Sequence, residues 1–147
     1  MAERRLSIYS GPPIEAALAA LGEGYDENRS GRLNTVCERY LAMVADELSR
    51  LELSKNEWCL ILDANNDVEQ YLGDTGGSTA MLWANIYDSP ETISEKWDVD
   101  RDRLAARLRA MPRSTLIAIR EACDRFWSRA NAPTDNALHA AGIRPKE

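Results

Sequence analysis

The hydrophobic positions of this chain recur mostly at spacings of three and four residues, which is the period of an amphipathic helix. The clearest case is the segment RSGRLNTVCERYLAMVADELSR, residues 29–50, in which Ser30 is placed as the N-cap. Its apolar stripe consists of Leu33, Val36, Cys37, Tyr40, Leu41, Val44 and Leu48. The pattern therefore predicts a long helix with one apolar face. A shorter helix is predicted in PIEAALAALG, just before it.

A two-residue period comes earlier, in RLSIY at residues 5–9. Alternation of this kind predicts a short strand. Its apolar face holds Leu6 and Ile8, and its polar face holds Arg5, Ser7 and Tyr9. A lone strand leaves backbone groups unpaired. A second copy of the chain is therefore expected to supply an antiparallel partner strand.

The rest of the chain predicts a separate helical unit. Ser54 and Glu57 have the spacing of a capping box. The four tryptophans are expected to anchor the core of this unit and not to bind a ligand; they are Trp58, Trp83, Trp97 and Trp127. The expected domains are residues 1–50, a helical domain over 51–131 that serves assembly or partner binding, and a flexible tail over 132–147.

Composition narrows the class of protein. The chain has 147 residues, a net charge of -6 and 44% apolar residues, which is typical of a soluble globular protein. We find no membrane span and no signal peptide, so a cytoplasmic location is expected. Cys37, Cys59 and Cys123 are odd in number and far apart, so they are expected to be buried free thiols. No cofactor and no metal site are predicted.

The order of RLSIY, a short helix and RSGRLNTVCERYL resembles the ribbon-helix-helix (Arc and MetJ-like) DNA-binding family over residues 4–48. The resemblance implies a mostly α fold class. Its N-terminal module has one strand and two helices and dimerises through an intersubunit antiparallel β-ribbon; an all-helical C-terminal domain follows. It also implies that Arg5, Ser7 and Tyr9 enter the major groove of double-stranded DNA and contact base edges.

A helix N-terminus favours an anion such as a DNA phosphate. Arginines add positive charge at this position, although the chain as a whole has a negative net charge. The expected phosphate contacts are Arg4, Arg29, Ser30, Gly31 and Arg32. The expected core of the homodimer is Leu6, Ile8, Leu33, Val36, Cys37 and Tyr40.

Three other motifs are similar to functional ones, but ordinary structural roles explain them better. DANNDVEQYLGD imitates a calcium loop, but Val68 stands where the loop needs glycine. TISEKWDVDRDRLAARL has the spacing of a helix-turn-helix, but aspartates alternate with its arginines, so ordinary packing is preferred. The single histidine, His139, has no evident nucleophile partner, so we predict that the protein is not an enzyme.

Two classes of function remain. One is a dimeric sequence-specific DNA-binding protein, such as a transcriptional repressor or a regulator of plasmid or mobile-element maintenance. The other is an antitoxin-like or adaptor module that binds a protein through its tryptophan-rich C-terminal helical domain.

Overall fold

The computed structural model describes residues 12–21, 29–66 and 78–147. Contacts divide the chain into two compact units, Met1–Ala42 and Met43–Glu147. The described residues contain eight helices. They are α1 (Pro12–Ala19), α2 (Arg29–Arg50), α3 (Lys55–Ala64), α4 (Ser78–Asp88), α5 (Glu91–Trp97), α6 (Arg101–Arg109), α7 (Arg113–Trp127) and α8 (Asp135–Ala140).

The predicted fold class is wrong. Over the described ranges the protein is helical and has no strand, so an all-helical fold replaces the fold with an intersubunit β-ribbon. The predicted strand itself, residues 5–9, lies outside the described residues. Five alternating positions fit the strand pattern, but a strand also needs a partner strand for its backbone groups, and the described residues contain none.

The first unit contains α1 and the first part of α2. Proline at the start of α1 suits a helix N-terminus, because the missing N–H has no partner there in any case. Leu18 and Leu21 are buried, at 7% and 9% exposure.

The second unit has a single hydrophobic core. Helix α6 packs mainly against α4, α5 packs against α3, and α8 packs against α7. The largest fully buried side chains are Trp58, Phe126, Leu53, Leu60, Ile61, Leu62, Leu82, Ile86, Leu104, Leu108, Ile119 and Leu138. Val44 and Leu48 of α2 also belong to this core. The unit therefore begins inside α2, whereas the sequence pattern placed the boundary at residues 50 and 51.

The C-terminal residues differ from the predicted flexible tail. Thr134 caps α8 by accepting a hydrogen bond from the backbone N–H of Ala137. Leu138, Ala141 and Ile143 are almost completely buried. Beyond them, the backbone N–H of Lys146 donates to the carbonyl of Leu53 at 2.9 Å. Residues 134–146 are thus part of the packed unit.

Candidate functional site

The first unit carries an apolar pocket between α1 and α2. Its volume is about 470 Å³, and it is lined by Pro13, Ala17, Leu18, Leu33, Val36 and Tyr40. Residues 33, 36 and 40 fall on one side of α2 because their spacings of three and four match the helical period. Among the described lining residues, Tyr40 supplies the one polar side-chain group, its hydroxyl. We call these six residues the α1–α2 face.

One large side chain of this face is open to solvent. Tyr40 lines the pocket and is 37% exposed. The described lining carries no charged side chain, and depletion of charge is a property of protein interface cores.

Arg32 holds the two helices of the first unit together. Its Nη2 atom donates a hydrogen bond to the carbonyl oxygen of Leu18, in the last turn of α1, at 2.6 Å. Its Nε atom is buried and has no hydrogen-bond partner among the described residues. Arg32 was predicted to contact a phosphate, and in this geometry part of its guanidinium already serves as a cap for α1.

The other predicted phosphate contacts are only partly described. Helix α2 begins at Arg29, so Ser30 lies in its first turn and not at the predicted N-cap position. The side chains of Arg29 and Ser30 are outside what the structure describes. Gly31 lies in the same turn, and its carbonyl accepts a hydrogen bond from the hydroxyl of Thr35. Arg4, Arg5, Ser7 and Tyr9 lie outside the described residues.

The structure brings together three residues of the predicted dimer core. Leu33, Val36 and Tyr40 line the same pocket, whereas Leu6 and Ile8 lie outside the described residues. Cys37 is exposed and does not line the pocket, so it is not a buried thiol as the pattern suggested. Sequence reasoning omitted the contribution of α1 to this site, although the apolar positions 17 and 18 of that helix were a usable signal.

The other two thiols are buried, as predicted. Burial raises the pKa of Cys59, and it raises the pKa of Cys123 to about 12. Both thiols therefore stay protonated near neutral pH and are poor nucleophiles.

The tryptophans act as core anchors, which confirms their predicted role. Trp58 is 1% exposed, and the other three are partly buried against the same core. The indole N–H of Trp97 donates to Asp63 at 2.6 Å, and that of Trp127 donates to the carbonyl of Leu62 at 3.1 Å. Their polar atoms are used inside the second unit.

The residues of the calcium-like motif that the structure describes also have internal partners. Asp63 accepts hydrogen bonds from Lys96 and Trp97. Asn65 is 1% exposed and ends α3. The remainder of the motif, from residue 67, lies outside the described residues. Within the described ranges, no group of three acidic, histidine or cysteine side chains is arranged to hold a metal ion.

The helix-turn-helix motif forms α5, a three-residue turn and α6. Asp98 adopts a left-handed conformation with φ 52°, and Asp100 caps α6 through the backbone N–H of Arg103. With Asp102, three carboxylates surround the first turn of α6. Because that end would have to approach DNA, they would repel phosphate. Farther along α6, Arg107 pairs with Glu57 of α3.

A comparison with known proteins finds no matching family model, no similar curated sequence and no similar solved structure. The resemblance to the ribbon-helix-helix family stays a prediction. Among the helices of the described segments, none combines the length and the apolarity needed to cross a membrane.

Proposed function

We propose that this protein is a protein-interaction module and that it docks its partner on the α1–α2 face. The observation that supports the proposal is the apolar pocket of about 470 Å³, at which the aromatic side chain of Tyr40 is partly exposed. Interface cores are depleted in charged residues, as the described lining of this pocket is.

The chemistry of the pocket favours a protein over a small molecule. Small-molecule sites combine an apolar lining with a few polar groups that orient the ligand. Among the described lining residues, the Tyr40 hydroxyl is the single polar side-chain group. A protein partner with an apolar surface can bind here through shape complementarity and the burial of apolar area.

The proposed docking face lies in the first unit, whereas the sequence pattern favoured the tryptophan-rich C-terminal domain as the site for a protein partner. The tryptophans of the second unit pack into their own core, so they do not supply the exposed anchors of an interface. The apolar face of the first unit supplies an exposed anchor, Tyr40. DNA binding stays a prediction from the sequence, because Arg5, Ser7 and Tyr9 lie outside the described residues and Arg32 is hydrogen-bonded to Leu18.

The test is site-specific photo-crosslinking in the producing cell. A benzophenone amino acid replaces Tyr40 in one variant and Ala42 in the matched control. These positions lie two residues apart on α2, which is about 200° around the helix, and Ala42 is exposed. We expect an adduct of higher mass from position 40 and none from position 42. Absence of any protein adduct at position 40 contradicts the proposed function, and so do equal adducts at both positions.

A further inference from the structure

A cavity of the second unit lies between the start of α3 and the segment formed by the α5–α6 turn and α6. Its volume is about 330 Å³, which is at the lower end of the range for pockets that hold small molecules. Val99 and Leu104 supply the apolar part of its lining, and the other lining side chains are polar or charged. We call this cavity the α3–α6 cleft.

The walls of the cleft are held in place by hydrogen bonds within the second unit. At the start of α3, Ser54 and Glu57 form the capping box. Arg107 of α6 pairs with Glu57 and also donates to the carbonyl of Glu52 at 3.0 Å, so α6 is fixed to the start of α3. The carboxylate of Asp100 caps α6. A site on elements of this kind has its geometry before a ligand arrives, which lowers the cost of binding.

Two charged side chains of the lining have no part in these hydrogen bonds. They are the guanidinium of Arg103 and the carboxylate of Asp98. Neither side chain has a hydrogen bond or an ion pair with another residue in the described part of the chain, and they do not pair with each other. One cleft therefore presents an unpaired cation and an unpaired anion. A ligand that carries both charges can neutralise the two at once.

We propose that the α3–α6 cleft binds a free α-amino acid, whose carboxylate pairs with Arg103 and whose ammonium group pairs with Asp98. A planar guanidinium matches a carboxylate through two parallel hydrogen bonds. Asp100 adds a second carboxylate to the lining, so outside the Glu57–Arg107 pair the anions exceed the cations. An amino acid with a basic side chain therefore complements the cleft better than an acidic one. This site is separate from the α1–α2 face and does not depend on the proposed function.

Other classes of ligand fit the charges of the cleft less well. A polyanion such as DNA would be repelled by Asp98 and Asp100, although Arg103 is close by in the sequence. A simple amine would leave the guanidinium of Arg103 without a partner. An apolar ligand would cover both unpaired charges and neutralise neither, which is unfavourable.

The test is an NMR titration of the full ¹⁵N-labelled chain with L-lysine, L-glutamate and cadaverine, the diamine that corresponds to lysine without its carboxylate. Each is added to about 10 mM, which covers millimolar affinities. We expect L-lysine to shift the backbone amide signals of residues 98–104 with a dissociation constant below about 1 mM. L-glutamate and cadaverine should each bind at least about tenfold more weakly, because each loses a charge-assisted contact.

Arg103→Gln tests the carboxylate contact. It keeps the backbone N–H that donates to Asp100, so the cap of α6 remains. We expect affinity for L-lysine to fall at least about tenfold and affinity for cadaverine to stay the same, because only L-lysine has the carboxylate. Arg109→Gln, at an exposed arginine of α6 outside the lining, is the matched control and should change neither affinity.

Asp98→Asn tests the ammonium contact. Asparagine tolerates the left-handed conformation at this position, where φ is 52°, so the variant removes the charge and keeps the turn. Affinity for both L-lysine and cadaverine should fall, whereas the matched control Asp102→Asn, an exposed residue outside the lining, should leave both unchanged. The inference is overturned by the absence of shifts with L-lysine, by equal affinities for L-lysine and cadaverine, or by equal effects within either pair of variants.

Discussion

Asn65 shows at the residue scale how a polar side chain is accommodated in the core. Its Nδ2 atom donates to the carbonyl of Ile61 at 2.9 Å, and its Oδ1 atom accepts a hydrogen bond from Asn85 at 2.8 Å. From the sequence alone, the same asparagine fits a calcium-loop pattern. Residue type gives the donors and acceptors, but only the fold decides which partners they meet.

The three cysteines show the same difference between what the sequence pattern predicts and what only the fold decides. The apolar pattern correctly predicted that Cys59 and Cys123 are buried. It was wrong for Cys37, which lies in the same kind of pattern on α2 but is exposed. Helical periodicity shows which side of a helix is apolar, and it does not show how far the covering layer extends.

Cys123 leads to a prediction about alkaline pH. Burial raises the pKa of this thiol from an ordinary value of 9.0 to about 12 in the folded state. Between these values the unfolded chain loses the proton and the folded chain keeps it. The free energy of unfolding should therefore fall as the pH rises above 9, by up to about 1.4 kcal/mol per pH unit from this group.

The measurement is urea unfolding of the wild-type chain and of Cys123→Ala at several pH values from 8 to 10.5. The variant will be less stable at every pH because it leaves a cavity, so the slope against pH is the informative quantity. Its slope should be shallower than that of the wild type above pH 9. Identical slopes would contradict this prediction.

At the element scale, local caps were the features best predicted from the sequence. The capping box at α3 is confirmed, since Ser54 accepts from the backbone N–H of Glu57 and Glu57 accepts in return from that of Ser54. The predicted cap of α2 at Ser30 implies a helix that starts at residue 31, and the helix starts two residues earlier, at Arg29. A capping box involves only four consecutive residues, whereas the exact start of a helix depends on what packs around it.

Glu47 stabilises the start of α7 in a way that no local pattern reveals. Helix α7 follows Pro112 and has no side-chain cap of its own. Instead, the hydroxyls of Ser114 and Thr115 donate to the Glu47 carboxylate of α2, at 3.2 and 2.7 Å. The partners are far apart in sequence, so no reading of one helix at a time finds this contact. A carboxylate here also suits the positive end of the helix dipole.

Glu57 is expected to be the most important carboxylate of α3. It completes the capping box and also pairs with Arg107 of α6. Glu57→Ala should lower the free energy of unfolding by about 1 to 3 kcal/mol, because it removes a cap and the carboxylate partner of the half-buried Arg107 guanidinium, which keeps its hydrogen bond to the Glu52 carbonyl.

Glu52→Ala is the matched control for this prediction. The Glu52 side chain is 79% exposed and pairs with Lys146, so its loss should change the free energy by less than about 0.5 kcal/mol. Chemical denaturation of both variants makes the comparison. Similar losses in the two variants would show that the Glu57 network does not stabilise the link between α3 and α6.

At the scale of the whole molecule, the sequence predicted helices better than it predicted where units begin and end. Val44 and Leu48 of the predicted apolar stripe of α2 are buried, whereas Cys37 and Leu41 are exposed. Val44 and Leu48 belong to the core of the second unit, so the boundary between the units lies inside the helix. The short segment around Leu138 has too few apolar positions to signal burial by periodicity. Its place in the core comes from packing against the preceding helix α7 and from a core shared with Leu53, which is distant in sequence.

Removal of residues 134–147 tests whether α8 is needed by the second unit. Leu138 and Ile143 are at most 1% exposed, and each such side chain contributes about 2 to 5 kcal/mol to stability. The truncated chain should therefore lose at least about 4 kcal/mol, or fail to fold. Removal of Glu147 alone, an exposed residue, is the control and should have no measurable effect. An unchanged unfolding midpoint for the longer truncation would contradict this prediction and would support a flexible tail at residues 134–147.

The hydrogen bond from Lys146 to Leu53 has a consequence for the order in which the molecule is made. Because Leu53 and Ile143 share one core, the second unit cannot close until nearly all of it has left the ribosome. Until then, the apolar residues of α3 lack the side chains against which they pack in the folded unit, and chaperones can bind them. The time needed to synthesise the residues between Leu53 and Ile143 therefore contributes to how long the nascent chain stays in that vulnerable state.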